Sequence, residues 1–287
     1  MIEGRTLVVG GDSTIGKSIV ERLQDNGVDV WKTTRHKHEG MFKTIFIDLS
    51  NDIDKWEMPS MKFDTVFICT AITSIKECEN YPQETYKVNV VSTVELAAKL
   101  TAIGAFVIFL SSNAVFDGSK AYVKYNENTC PQTEYGKQKA QAELLLTRLN
   151  KAIGIVRLNK VITPQLTLLK NWIDDLKNGI VIQPFNDMFM APISLSFATK
   201  VLLRVAEQKK IGITQVSSAN DISYSEAARY IAKKMKISDN LIQPISYKKM
   251  QIDYAPLYTT FDGTTLFDLG LKQPDPYTAF DHCLNFS

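Results

Sequence analysis

Short apolar runs alternate with amphipathic stretches along the first half of the chain. Residues 5–10 form an apolar run of strand length, and residues 14–26 carry apolar side chains at the 3.6-residue spacing of one helix face. Gly27 ends that helix before a second apolar run at residues 28–34. A strand, a glycine turn, a helix and a second strand are typical of the start of a nucleotide-binding α/β sheet.

The same pattern continues through the rest of the chain. Further strands are predicted at residues 45–48, 65–69, 106–110 and 152–161, with a long helix running through Lys99 and another starting near Thr133. Later segments predict helices at 166–178, 194–207 and 223–235, and a strand at 213–217 that returns to the main sheet. Ser223 and Glu226 have the spacing of a capping box. We therefore expect a doubly wound parallel sheet (Rossmann fold) in residues 1–160 and a smaller mixed α/β lobe in residues 161–287.

Composition and charge exclude several classes of function. The chain has 287 residues, 45% of them hydrophobic, and a net charge of +2, which is too near neutral to indicate a nucleic-acid partner. Its longest apolar runs have strand length, and no signal-peptide pattern precedes the first strand, so no membrane association is expected. The four cysteines and three histidines lack metal-site spacing. These features favour a reduced, cytoplasmic protein without a metal.

The glycine turn after the first strand matches the phosphate-loop pattern of nucleoside triphosphate-binding proteins. Residues 11–18 read GDSTIGKS and fit G-x-x-x-x-G-K-[ST] at every fixed position. In this interpretation Lys17 would reach the phosphates, Ser18 would hold Mg²⁺, and Asp48 could act as the acidic ligand.

The same turn also fits the dinucleotide pattern G-x-x-G-x-x-G. Gly10, Ser13 and Gly16 occupy its three glycine positions, with serine in the middle. The backbone would then approach a pyrophosphate at the helix N-terminus, and the Ser13 hydroxyl could donate to a phosphate. The two interpretations differ in what they require later in the chain, because only a dinucleotide enzyme needs a proton donor for a carbonyl substrate.

The end of the second strand indicates which dinucleotide would bind. An acid at this place holds the adenosine ribose of NAD, but the sequence here is Thr34 followed by Arg35, His36, Lys37 and His38. A basic group suits a 2′-phosphate, so NADP(H) is preferred over NAD(H). A solvated charged loop is the alternative explanation of the same run.

Residues 111–143 contain the candidate catalytic groups. Tyr135 and Lys139 are four residues apart and share one face of the predicted helix. The lysine ammonium and the helix N-terminus are expected to lower the pKa of the phenol. Ser112 ends an apolar strand, where open parallel sheets place ligand-contacting groups. A serine, a tyrosine and a lysine so disposed can protonate a carbonyl oxygen while hydride reaches its carbon.

Ser112 with Tyr135-x-x-x-Lys139 resembles the active site of short-chain dehydrogenases/reductases. Within that superfamily the chain resembles the dTDP-4-dehydrorhamnose reductases, through residues 64–79, Tyr86-Lys-Val-Asn89, 115–118, 127–131 and 135–139 in order and spacing. The resemblance is firm over the first half of the chain and holds in outline over the second half. There, the family's Arg-Pro and Leu-Asp dipeptides correspond only partly to Ala255-Pro256 and Phe261-Asp262.

The resemblance implies NADPH-dependent reduction of the C4 ketone of a nucleotide-linked 4-keto-6-deoxy sugar, with Ser112, Tyr135 and Lys139 as catalytic residues. It places cofactor contacts at Gly10, Ser13, Thr14, Ile15, Gly16, Arg35, Asp48, Leu49, Thr70, Ala71, Tyr135 and Lys139, and substrate contacts at Thr73, Asn113 and Lys160. Lys160 replaces a tryptophan of the rhamnose reductases and is expected to contact the substrate diphosphate. Asn113 and Ala114 stand where relatives that also epimerise or dehydrate carry titratable groups, so a plain reductase is expected.

Two alternatives come from other classes. Relatives of this family serve as NADP-binding regulatory subunits of methionine adenosyltransferase, which is a non-catalytic role. The phosphate-loop interpretation would instead make the chain an ATP-binding enzyme. The oligomeric state is left open, with a homodimer as the candidate.

Overall fold

Strands and helices alternate through the chain, as the sequence pattern predicts. The computed structural model describes residues 2–36, 42–56, 58, 61–250, 252 and 254–284. The strands are β1 (Arg5–Val9), β2 (Asp29–Thr34), β3 (Thr44–Phe46), β4 (Thr65–Ile68), β5 (Phe106–Ser112), β6 (Ile153–Leu158), β7 (Val161–Ile162), β8 (Phe189–Met190), β9 (Ile193–Ser194), β10 (Gly212–Val216) and β11 (Ile222–Ser223). The α-helices are α1 (Thr14–Asp25), α2 (Ile75–Asn80), α3 (Pro82–Tyr86), α4 (Thr93–Ala102), α5 (Glu134–Arg148), α6 (Thr167–Lys177), α7 (Leu195–Glu207), α8 (Tyr224–Lys234), α9 (Thr264–Phe267) and α10 (Thr278–Leu284). A π-helical segment, Lys87–Ser92, joins α3 to α4.

The main sheet has seven strands in the order β10-β6-β5-β4-β1-β2-β3 within the described part of the chain. The pairs β1–β2, β2–β3, β1–β4 and β4–β5 are parallel, with Leu7 opposite Trp31 on one side and Val66 on the other. The order reverses between β1 and β4, and ligands of such sheets bind at that point, outside the carboxyl ends of the strands. The prediction of a doubly wound parallel sheet is confirmed, and the strand predicted at 213–217 is β10 at the sheet edge.

The apolar runs of the sequence form the centre of this sheet. Leu7, Val8 and Val9 of β1 have no exposed surface, and every residue of β4 and β6 is buried. A parallel sheet is covered on both faces, so its strands are apolar at consecutive positions rather than at alternate ones. The loops that carry the candidate site begin where these strands end.

Two differences from the prediction concern β3 and the long helix that follows Tyr86. β3 ends at Phe46, before Asp48, because the Asp48 carboxylate accepts hydrogen bonds from the Ser50 amide (2.9 Å) and hydroxyl (2.8 Å) and so forms a turn. The long helix predicted to run through Lys99 is divided by the π-helical segment Lys87–Ser92. A π turn inserts one extra residue, and such turns are frequent at functional sites.

The chain forms two compact units. Unit 1 comprises Met1–Phe116, Asn128–Arg157 and Thr199–Thr214, and unit 2 comprises Asp117–Glu127, Leu158–Ala198 and Gln215–Ser287. The predicted division at residue 160 lies close to one of the points where the chain passes from unit 1 to unit 2. It does not separate the later stretch Thr199–Thr214, which belongs to unit 1 because most of α7 and the start of β10 complete that unit.

Unit 2 has a core of its own. Trp172 of α6, Ile231 of α8 and Phe280 of α10 are buried in one apolar cluster. Two short ladders accompany it, a parallel one between β7 and β9 and an antiparallel one between β8 and β11. The predicted capping box is confirmed, since Ser223 Oγ accepts the Glu226 amide (3.1 Å) and Glu226 Oε2 accepts the Ser223 amide (2.7 Å).

No helix in the described part of the chain is both long and apolar enough to cross a membrane.

Candidate active site

The glycine turn between β1 and α1 lies close against its neighbours. Gly10 has φ +77°, a left-handed conformation that favours glycine, and a Cβ there would lie 2.6 Å from Thr70 Cγ2. A Cβ on Gly16 would lie 2.2 Å from the Gly10 carbonyl oxygen. Both positions therefore require glycine, as the dinucleotide pattern predicts.

Ser13, in the middle glycine position, caps helix α1. Its Oγ accepts the Gly16 amide (3.1 Å) and donates to the Gly10 carbonyl (2.8 Å). The hydroxyl hydrogen predicted to bind a phosphate is therefore used within the turn. The N-terminus of α1 still offers partial positive charge, which suits a pyrophosphate.

A cleft of about 430 Å³ opens where β1, β2 and β4 end. Its lining includes seven of the predicted cofactor-binding residues: Gly10, Ser13, Arg35, Asp48, Leu49, Thr70 and Ala71. The other three of the glycine-turn set, Thr14, Ile15 and Gly16, lie in the first turn of α1 and do not line it. The Thr70 hydroxyl oxygen is buried without a hydrogen-bond partner among the described residues. A buried polar atom without a partner is costly, so the cleft fits a ligand that supplies one.

The basic end of the cleft is only partly described. Arg35 is exposed, lines the cleft and has no carboxylate partner within the described ranges. Lys37 and His38 lie outside the described residues. Asp29, the acid at the start of β2, forms ion pairs with Arg5 (2.7 Å) and Lys43 (2.7 Å).

The phosphate-loop residues do not converge. Ser18 Oγ is 2.8 Å from Thr199 Oγ1 of α7, a contact that uses the hydroxyl that would hold Mg²⁺. Lys17 is exposed, and neither it nor Ser18 lines the cleft that contains Asp48. Among the described residues, no group of three His, Cys, Asp or Glu side chains could hold a metal ion.

Helix α5 brings the three candidate catalytic residues together. Thr133 caps it by accepting the Gly136 amide (3.1 Å), so that Tyr135 lies in its first turn and Lys139 one turn later. A Cβ on Gly136 would lie 2.1 Å from the Ala114 carbonyl oxygen, so the helix is packed tightly against the loop after β5. Ser112 ends β5 and hydrogen-bonds to the Tyr135 side chain.

Lys139 is almost completely buried, with 2% of its surface exposed. Its Nζ donates to the Leu110 carbonyl (2.8 Å) and lies 4.5 Å from the centre of the Phe109 ring and 6.0 Å from that of Tyr135. Burial lowers the pKa of Lys139 to about 8, although the nearby Glu143 raises it.

The pKa of Tyr135 shifts in the direction opposite to the sequence prediction. Burial raises it to about 12, and the hydrogen bond with Ser112 only partly opposes that rise. The Lys139 ammonium donates to the Leu110 carbonyl rather than to the phenol. Tyr135 is consequently a neutral phenol near pH 7, which is the protonation state of a proton donor.

The three predicted substrate contacts lie in different surroundings. Asn113 Oδ1 accepts the Ser112 hydroxyl (3.4 Å), and Thr73 is exposed on the loop after β4. Lys160 belongs to unit 2, where its Nζ donates to the Tyr224 hydroxyl (3.3 Å). Asn113 therefore contacts Ser112, whereas the Lys160 ammonium already has the Tyr224 hydroxyl as a hydrogen-bond partner.

A buried amide pair supports this site and was not predicted. Asn89, in the π-helical segment, donates to Gln138 Oε1 (2.8 Å) and to the Ile72 carbonyl (3.0 Å), and its Oδ1 accepts the Ile72 amide (2.8 Å). Gln138 lies between Tyr135 and Lys139 on α5. The pair therefore joins the helix of the Tyr–Lys motif to the loop after β4 that lines the cleft. In the sequence, only Asn89 of this pair gave a signal, as part of the family resemblance at residues 86–89.

Comparison with known proteins identifies the family. The family model described as RmlD substrate binding domain matches residues 4–281. This chain belongs to that family.

Proteins similar to this chain have different names. The dTDP-4-dehydrorhamnose reductase of Aggregatibacter actinomycetemcomitans is 26% identical over 219 residues, covering 73% of this chain and 70% of that protein. The methionine adenosyltransferase 2 subunit beta of Bos taurus is 21% identical over 289 residues, covering 95% of this chain and 84% of its own. The crystal structure of the Bacillus anthracis dTDP-4-dehydrorhamnose reductase in complex with NADP superposes with a TM-score of 0.84 at 19% identity, covering 98% of each chain.

The two names describe an enzyme and a subunit of another enzyme. At these identities the structural match shows the fold, and the activity depends on the residues of this chain.

Proposed function

We propose that the protein reduces the C4 ketone of a nucleotide-linked 4-keto-6-deoxy sugar with NADPH. The observation that carries the proposal is the convergence of Ser112, Tyr135 and Lys139 in unit 1, next to the cleft at the ends of β1, β2 and β4. Lys139 is close enough to Cys69 of that cleft to influence its pKa. The family and a relative named dTDP-4-dehydrorhamnose reductase support this substrate class.

Each of the three residues has a role that follows from its state. Tyr135 is protonated near pH 7 and can give its proton to the ketone oxygen as negative charge develops there. Ser112, a hydrogen-bond partner of that phenol, can hold the same oxygen in line. Lys139 keeps a positive charge below its pKa of about 8, 6.0 Å from the centre of the Tyr135 ring, where it could stabilise the phenolate that remains after proton transfer. A bound nicotinamide dinucleotide supplies the hydride.

The cleft residues suit a dinucleotide. Gly10 and Gly16 allow the backbone to approach a pyrophosphate, and the buried Thr70 hydroxyl could bind a cofactor group. Arg35 follows β2 and lines the cleft, and its guanidinium suits a 2′-phosphate, which is our reason for proposing NADP(H) over NAD(H). The proposed contact between Lys160 and a substrate diphosphate remains a prediction.

The proposed reaction stops at reduction. Asn113 and Ala114 carry no group that shuttles a proton at neutral pH. Cys69 is the thiol of the cleft, and burial raises its pKa to about 12, so it is protonated and a poor base. We therefore expect no proton exchange at the carbons beside the ketone.

The test is the substitution Tyr135→Phe. We expect it to lower the rate of NADPH oxidation with a dTDP-4-keto-6-deoxy sugar by about 10²–10⁴-fold, because it removes the proton donor. The affinity for NADPH, measured by its fluorescence, should change little. Tyr81→Phe is the matched control, since Tyr81 is 58% exposed and its variant should keep full activity. Full activity of the Tyr135→Phe protein would contradict the assignment.

A second candidate function is a dinucleotide-binding regulatory subunit. The named methionine adenosyltransferase subunits match along 95% of this chain, which is more than the reductase covers. The retained serine, tyrosine and lysine support catalysis instead. NADPH binding by the unaltered protein without any turnover of 4-keto sugars would favour the subunit role.

A further inference from the structure

The cleft contains a carboxylate that sequence analysis did not assign. Asp12 belongs to the glycine turn, and it lines the cleft together with Thr34 and Arg35 from the end of β2. On β2 itself the sequence has an acid only at Asp29, too early in the strand, and Thr34 is followed by the basic run of residues 35–38. The structure brings an acid to the same place from a different segment.

The Asp12 side chain is held in this position by two partners. Lys32 Nζ donates to Asp12 Oδ1 at 3.0 Å, and the Thr34 hydroxyl is a further hydrogen-bond partner. These hydrogen bonds, together with the charges of Lys32 and Lys17, lower the pKa of Asp12 although burial opposes them. Asp12 is therefore a carboxylate at neutral pH, with 39% of its side chain exposed.

In doubly wound sheets the end of the second strand receives the adenosine ribose of a dinucleotide. A carboxylate there accepts a ribose hydroxyl and repels a 2′-phosphate, whereas a guanidinium attracts the phosphate. From the contacts of Asp12 we infer that it faces the adenosine ribose and limits the preference for NADP(H) that Arg35 creates. This inference rests on the proposed dinucleotide binding and concerns selection within that site.

The Asp12 carboxylate offsets part of the positive charge at the ribose end. Arg35 and Lys32 are positive, and Asp12 is negative. Lys32 is bound to Asp12, whereas Arg35 lines the cleft without a carboxylate partner within the described residues. The unaltered protein should accordingly bind NADPH only moderately better than NADH.

The test compares the ratio of the two dissociation constants, NADH over NADPH, in charge variants. Asp12→Asn should raise this ratio about tenfold, because it removes a like charge and frees Lys32 to meet the phosphate. Lys32→Met leaves Asp12 without its neutralising partner and should lower the ratio. Both changes should diminish at high salt, which screens exposed charges.

Glu21→Gln is the matched control, because Glu21 lies on α1 and is absent from the lining of this cleft among the described residues. It should leave the ratio unchanged. If Asp12→Asn and Lys32→Met also leave it unchanged, Asp12 only forms a surface ion pair and the inference is wrong. If the unaltered protein binds neither NADH nor NADPH, the proposed function fails instead, so the two failures are distinguishable.

Discussion

At the residue scale, Lys139 carries a conflict between stability and function. A cation that is 2% exposed has lost most of its hydration, and one hydrogen bond to the Leu110 carbonyl replaces only part of it. The consequence is a pKa lowered from 10.5 to about 8. Such a lysine is retained where its charge is used in chemistry.

Lys139→Met should therefore stabilise the protein while abolishing turnover. The pKa shift from 10.5 to about 8 corresponds to on the order of 3 kcal/mol at neutral pH, from which the lost hydrogen bond subtracts about 1 kcal/mol. The unfolded chain binds the proton more strongly, so the penalty is complete below about pH 8 and disappears as pH rises toward 10.5. The gain in the free energy of unfolding of the Lys139→Met protein should show the same pH dependence when urea unfolding is measured at several pH values.

Lys137→Met is the control for this comparison. Lys137 is on the same helix with 59% of its side chain exposed, paired with Glu134 at 3.7 Å. Its removal should change the free energy of unfolding by less than about 1 kcal/mol at any pH. A Lys139→Met protein less stable than the unaltered protein at neutral pH would show that the buried ammonium is well compensated.

At the element scale, the hydrogen bond between Asn89 and Gln138 connects the π-helical segment to α5. Gln138 also donates to Thr85 Oγ1 (2.8 Å), and both amide side chains are 1% exposed. The π turn places the Asn89 side chain where it hydrogen-bonds to both the backbone amide and the backbone carbonyl of Ile72. We interpret this segment as the support that sets the distance between α5 and the loop after β4.

Gln138→Leu should destabilise the protein by about 1–3 kcal/mol, because it leaves the Asn89 amide with an unpaired hydrogen in a buried place. It should also weaken NADPH binding, since the loop at Thr70 and Ala71 lines the cleft. Thermal unfolding and NADPH fluorescence measure the two effects. Gln132→Leu, at an exposed position, is the control. Unchanged stability and affinity in Gln138→Leu would show that the pair does not support the cleft.

At the scale of the whole molecule, the competing nucleotide interpretations predict different ligands. The phosphate-loop residues are dispersed, whereas seven of the predicted dinucleotide-binding residues line one cleft of unit 1. A ligand that binds the folded chain alone stabilises it, by about 2.7 kcal/mol at a concentration of 100 times its dissociation constant.

NADPH should therefore raise the midpoint of thermal unfolding, and Mg-ATP at the same concentration should not. A nucleotide sugar added together with NADPH should raise it further if the proposed substrate class is right. A larger shift with Mg-ATP than with NADPH would restore the phosphate-loop interpretation and overturn the dinucleotide one.

The sequence alone determined the architecture of the sheet and the candidate catalytic set. Consecutive apolar positions in β1, β4 and β6 can be buried only when both faces of a parallel sheet are covered, so strand positions follow from the pattern. The spacing of Tyr135 and Lys139 follows from helix geometry in the same way. Local rules of this kind act over a few residues and are visible in the chain.

The tertiary structure decided what depends on neighbours distant in sequence. The pKa of Tyr135 rises because burial outweighs its partners, and no local pattern reports how deeply a side chain is buried. Folding also brings separate segments together. The Ser18 hydroxyl contacts Thr199 instead of being free to hold Mg²⁺, and Asp12 lines the same cleft as Thr34 and Arg35. The interleaved units follow from the same cause, since β10 finds its strand partner only in the folded sheet.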